Sequence, residues 1–195
     1  MLRAGTISAS TTIDPRWFRG DSVARSRNSH SINLSLVKRY LAPADFSVEE
    51  SWRLVDWCRD IGADEFTVDC VGSDARAEAI VWQPFEKIAN SFSRGDETRE
   101  RMSGTTADDL TRSTRLWELN PVTVGALQQA LPNGLLSYDP EGHGWFEDPI
   151  LYRDGELLLG VLSHEAFAVL RISVLESVRL SAAGFPSHDS LPRVG

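Results

Sequence analysis

The sequence predicts an α+β fold, a mostly antiparallel sheet with helices packed on it. Three observations carry this expectation. Apolar runs of strand length alternate with stretches that bear their own helix-start signals. Turn signatures join neighbouring runs as hairpins, at 65–82 and within a C-terminal meander over 150–172. No strand–helix–strand alternation recurs, and no internal repeat is present.

Residues 1–31 are polar and irregular, broken by Gly5, Pro15 and Gly20, and are read as an N-terminal arm. A single α+β domain is expected over 32–185, and a flexible tail over 186–195. In SINLSLVKRYL (31–41), Ile32, Leu34 and Leu36 alternate with polar residues, which reads as a short strand. Ser47 and Glu50 then form a capping box, in which each side chain satisfies the other residue's backbone N–H. Val48, Trp52, Val55 and Cys58 share an apolar side, and Gly62 supplies a left-handed stop, so 48–61 is read as a helix.

EFTVDCV (65–71) follows as a strand. Gly72-Ser73-Asp74 reads as a turn, AEAIVW (77–82) as the partner strand, and Pro84 as its end. Residues 93–115 are highly charged and nearly free of large apolar side chains. They read as an exposed insertion with at most a short helix over 108–114. Asn120-Pro121 opens a helix over 121–131, with Asn as cap and Pro in the first turn. Leu135 to Tyr138 reads as a short strand.

From Ile150 the apolar pattern is nearly continuous. Asp154-Gly155 is the hairpin signal, because a type I′ turn needs two residues at positive φ. The strand after it, 156–162, is apolar on both faces and should be central. Ser173 and Glu176 repeat the capping box and open a helix over 174–183, stopped by Gly184 and Pro186.

The 195 residues suffice to bury a core without disulfides. Cys58 and Cys70 fit no metal spacing and read as buried thiols. Residues 1–44 hold seven Arg or Lys and two Asp, a charge of +5, which leaves −13 for the remainder of a chain whose total is −8. An acidic body repels phosphates, so nucleic acid is not an expected partner except through the basic segment 16–39. No apolar run is long enough for a membrane helix, and the cytoplasm is the expected compartment.

No phosphate loop, dinucleotide fingerprint, nucleophile elbow or zinc helix is present. One cluster stands out. Extending the pairing outward from Asp154-Gly155 sets Ile150 opposite Leu159 and Asp148 opposite Val161. The turn Ser163-His164-Glu165 then lies at the same end of the sheet as GHGWFEDP (142–149). His143, Trp145, Glu147, Asp148, His164 and Glu165 form a candidate binding rim. No cofactor is expected; the exception is a divalent metal, for which His143, His164 and Glu147 are the candidate ligands. A carboxylate beside a His also suits acid–base work. The same letters suit a plain strand entrance trimmed with polar residues.

The leading expectation is a soluble, non-enzymatic protein-interaction module, inhibitor- or immunity-like in composition only. Its partner would be another protein or a second copy in a homodimer. The alternative is a metal-dependent or acid–base enzyme that uses the rim.

Overall fold

The computed structural model describes residues 36–42, 45–95, 99–100, 111–138, 140 and 144–190. All of them fall in one compact unit, Ser31–Gly195. The expected arm 1–31 lies outside the described residues. The strands are β1 (Leu36–Leu41), β2 (Glu65–Gly72), β3 (Ser93–Gly95), β4 (Thr111–Glu118), β5 (Gly144–Arg153), β6 (Glu156–Leu162) and β7 (Phe167–Ser173). The helices are α1 (Val48–Asp60), α2 (Ala75–Ala89), α3 (Pro121–Ala130) and α4 (Val174–Ala182), with single 3-10 turns at Asn90–Phe92 and Ser163–Glu165. The seven strands form one sheet in the order β1-β7-β6-β5-β2-β4-β3. Every neighbouring pair is antiparallel, so the fold is α+β.

Local chemistry explains α1, α3 and α4. Ser47 and Ser173 each accept the N–H of the third helical residue, and Glu50 and Glu176 reach back to the cap. Asn120 accepts from the N–H groups of Val122 and Thr123, with Pro121 in the first turn. Buried residues of all four helices share one core with the first face of the sheet. Phe66, Val68 and Cys70 of β2 contribute to it, as do Trp117, Leu151, Leu159 and Leu170. The other face carries a smaller cluster, Leu116, Ile150, Tyr152 and Leu157, with no helical residue in it. Glu100 reaches this side: its carbonyl accepts the Tyr152 hydroxyl at 3.0 Å and its carboxylate meets Arg171 at 2.7 Å.

Four expectations are corrected. Residues 77–82 are not a strand, and no hairpin forms over 65–82. They belong to α2, while β2 pairs with β4 and β5. Asp74 caps α2 by accepting from Arg76 and Ala77, and Ala77, Trp82, Phe85 and Ala89 are buried at helical spacing. A short apolar run does not by itself separate strand from helix. Pro84 does not end the element either, because Trp82 and Phe85 on either side of it lock into an aromatic cluster with Trp117 and Phe146. That burial outweighs the loss of one helical hydrogen bond.

Second, the charged stretch 93–115 is not an exposed loop at its ends. Its first residues form β3, and Thr111 onward, expected as helix or loop, forms β4. Arginines at the described ends are paired within the protein: Arg115 bonds Glu86 and stacks over Trp82, and Arg112 meets acids described below. Third, Leu135 to Tyr138 forms turns, tied by Ser137 N–H to the Gly134 carbonyl at 3.2 Å, with Leu135 and Leu136 buried.

Fourth, β5 begins at Gly144 rather than Ile150, and its register slips. Asp154 and Gly155 make the expected turn with φ of 53° and 78°, and Arg153 pairs with Glu156 and Tyr152 with Leu157. A bulge then moves Ile150 opposite Gly160 instead of Leu159. β6 is central and buried from Leu157 to Leu162, as its two apolar faces require. Residues 187–189, inside the expected tail, run along β1. His188 exchanges two backbone hydrogen bonds with Tyr40, and Arg39 bonds Ser187 and Asp189.

Candidate functional site

One end of the sheet gathers the C-terminal half of β2, the start of β4, the start of β5 and the 3-10 turn after β6. Asp69 stands on the second face of β2, opposite Thr114 of β4 and Glu147 of β5. Strand alternation would send Glu147 and Asp148 to opposite faces. A bulge prevents that. The β2–β5 register shifts between Thr67 and Asp69, and Asp148 takes a left-handed backbone with φ of 50°. Pro149 explains the position: it cannot donate to the ladder of a central strand, so the chain bulges beside it. Both carboxylates thereby reach the same arginine.

Arg112 is the hub. Its Nη1 lies 2.8 Å from Asp69 Oδ2 and 3.4 Å from Asp148 Oδ2, and its Nη2 bonds Glu147 Oε1. Thr114 donates its hydroxyl to Asp69, and Trp145 donates its indole N–H to Glu147 Oε2 at 2.8 Å. Asp148 is clamped to the turn. Its Oδ1 accepts the Ser163 N–H at 2.7 Å, and its own N–H donates to Ser163 Oγ at 3.1 Å. His164 places Nδ1 3.8 Å from Asp148 Oδ2 and Nε2 3.7 Å from Glu165 Oε1. Among the described residues, His164 Nε2 is buried without a hydrogen-bond partner. The half-exposed Tyr138 ring stands edge-on to His164 at 6.3 Å.

The electrostatics are uneven. Asp69, Glu147 and Asp148 are 2%, 3% and 4% exposed, and the Arg112 guanidinium touches all three. Burial pushes the Asp148 carboxyl from the usual 3.8 up to about 6. The Ser163 N–H opposes that rise, Glu147 and Asp69 add to it, and His164 opposes it. Burial works against the charge on Arg112, but the three acids outweigh it and hold its pKa above the usual value. Burial, then Glu147 and Asp148, raises the Tyr138 phenol. The thiols are buried away from this chemistry. Burial pushes Cys70 to about 12 and Cys58 well above the usual thiol range.

Of the rim residues named from sequence, the structure brings together Trp145, Glu147, Asp148, His164 and Glu165. His143 lies outside the described residues, so the metal set that needs it is not described either. Glu147, Asp148 and His164 do offer ligand atoms within 4.8 Å of one another. Sequence reasoning missed Arg112, Thr114, Asp69, Ser163 and Tyr138. Asp69 had a signal, a lone acid inside a strand buried along nearly its whole length. Arg112 and Thr114 had no such signal, because the two arginines of TRSTRLWE are three residues apart and fall on opposite faces of the strand.

Fold and cluster together define an all-antiparallel α+β protein with a charged, buried rim at one sheet end. No protein-family model, curated protein or solved structure matches this chain. Among the described residues, no helix is long and apolar enough to cross a membrane.

Proposed function

We propose that this protein is a non-enzymatic interaction module that receives a basic side chain of a protein partner at the rim. The observation that carries this reading is Asp148, a carboxylate only 4% exposed whose Oδ2 has the Arg112 guanidinium and the His164 imidazole at 3.4 and 3.8 Å. A buried carboxylate is costly until a cation meets it closely. Asp148 Oδ2 is where that cation fits, because these neighbours stand off while Oδ1 already accepts the Ser163 N–H. Tyr138, 43% exposed beside His164, offers an aromatic face that suits an ammonium or guanidinium. The arriving cation displaces the Asp148 proton, so affinity rises as pH rises through about 6.

The test is quantitative affinity capture from native lysate with the wild type, Asp148→Asn and Tyr138→Ala, above and below pH 6. The expected result is a partner held by the wild type, weakened below pH 6 and by salt, and lost with Asp148→Asn. A second copy of this chain could be that partner. Recovery of the same proteins with wild type and Asp148→Asn contradicts the reading.

The spacing of Glu147, Asp148 and His164 favours one second reading, a divalent ion or an acid–base pair at the same rim. A divalent ion would offset the charge of Glu147 and Asp148, though Arg112 competes for both of these ligands. This reading expects zinc or manganese to raise the melting temperature of the wild type but not of His164→Ala. No metal-induced shift in the wild type would dismiss the metal form of it.

A further inference from the structure

A cavity of about 500 Å³ lies on the helix side of the sheet, away from the rim carboxylates. Its walls are α2, α3, the connection after α3 and the first residues of β5. Among the described residues, none of the lining is charged, and Phe85 and Phe146 bring aromatic surface. Gln129, Asn133 and Ser137 bring the polar groups. Two residues at the wall make this a shaped space. Pro84 lines it from inside α2, where proline is costly. Gly144 lets β5 approach α2, because a Cβ there would stand 2.8 Å from Val81 Cγ2 and 3.0 Å from the Val71 carbonyl oxygen. Trp145 borders both places: it lines the cavity and donates to Glu147 in the rim.

We infer that this cavity is a binding site for a small, uncharged organic molecule with an aromatic or aliphatic body and a hydrogen-bonding group. The volume falls within the range of small-molecule sites. A charged ligand would find no counter-ion among the described wall residues and would lose its hydration without compensation. An aromatic body gains offset or edge contacts with the rings of Phe85 and Phe146. The inference is independent of the rim reading.

Fluorescence titration with Nile red, an uncharged dye, tests it on the full chain. Two variants accompany the wild type: Ala130→Phe, which fills the space, and Ile88→Asp, which sets a charge in the wall at a partly exposed position that leaves the core intact. The wild type should bind saturably with one-to-one stoichiometry. Each variant should weaken binding at least tenfold at an unchanged melting temperature, and Asp148→Asn should bind as the wild type does. The anionic dye anilinonaphthalene sulfonate should bind more weakly than Nile red. Absence of saturable Nile red binding, or equal binding by both variants, overturns the inference. So does a wild-type dimer in sedimentation that excludes the dye and dissociates with Ile88→Asp, since a second copy would then fill the space.

Discussion

Asp148 combines a left-handed backbone, near-complete burial and two like-charged neighbours. Each feature works against folding, and such costs concentrate at functional residues. Arg112 holds the arrangement together. Arg112→Met removes the cation shared by Asp69, Glu147 and Asp148, which should cost on the order of 3 kcal/mol at neutral pH. The loss should shrink as pH falls through about 6, where Asp148 takes up a proton and one charge disappears. Urea unfolding of the variant at several pH values checks both statements. Trp145→Phe should cost about 1–2 kcal/mol by leaving Glu147 Oε2 without its donor, and the same unfolding measurement reads it.

Elements whose signals are local were legible in the sequence. The capping boxes at Ser47 and Ser173 and the Asn120-Pro121 start lie within four residues of the helices they begin. The Asp154-Gly155 turn fixed the β5–β6 hairpin for the same reason. Elements set by distant partners were not legible. β4 is a strand because its arginines meet Glu86, Asp69, Glu147 and Asp148, residues far away in sequence. α2 holds through Pro84 because its aromatic residues find Trp117 and Phe146. The rim was half legible: pairing from the turn set Asp148 near Ser163-His164-Glu165, but the bulge that unites Glu147 and Asp148 was missed. Its signal was present, a proline inside what proved to be a central strand. α3 offers a test of element-level reasoning. Gly125 sits in its interior, and a Cβ there would meet nothing within 4 Å. Gly125→Ala should therefore stabilise the protein by roughly 0.5–1 kcal/mol, seen as a higher urea midpoint with an unchanged slope.

Across the whole molecule, the sheet divides two kinds of burial. One face meets four helices in an apolar core, and the other ends in a charged rim. The first supplies stability and the second spends some of it, so the two are separable by pH. In the folded protein the Asp148 carboxyl sits at about 6, against the usual 3.8 when unfolded. Between those values the folded state holds the proton more tightly. The contribution is therefore full below 3.8 and is lost as pH rises to about 6, a difference on the order of 2–3 kcal/mol. Asparagine keeps the shape of Asp148, tolerates its left-handed backbone and carries no charge. The most direct measurement is the unfolding free energy of wild type and Asp148→Asn from pH 3.5 to 8. The wild type should fall relative to the variant between about pH 4 and 6, and the variant should be the more stable protein above pH 6. Parallel curves, or a variant less stable than the wild type above pH 6, would show that the rim holds no uncompensated charge for a partner to meet.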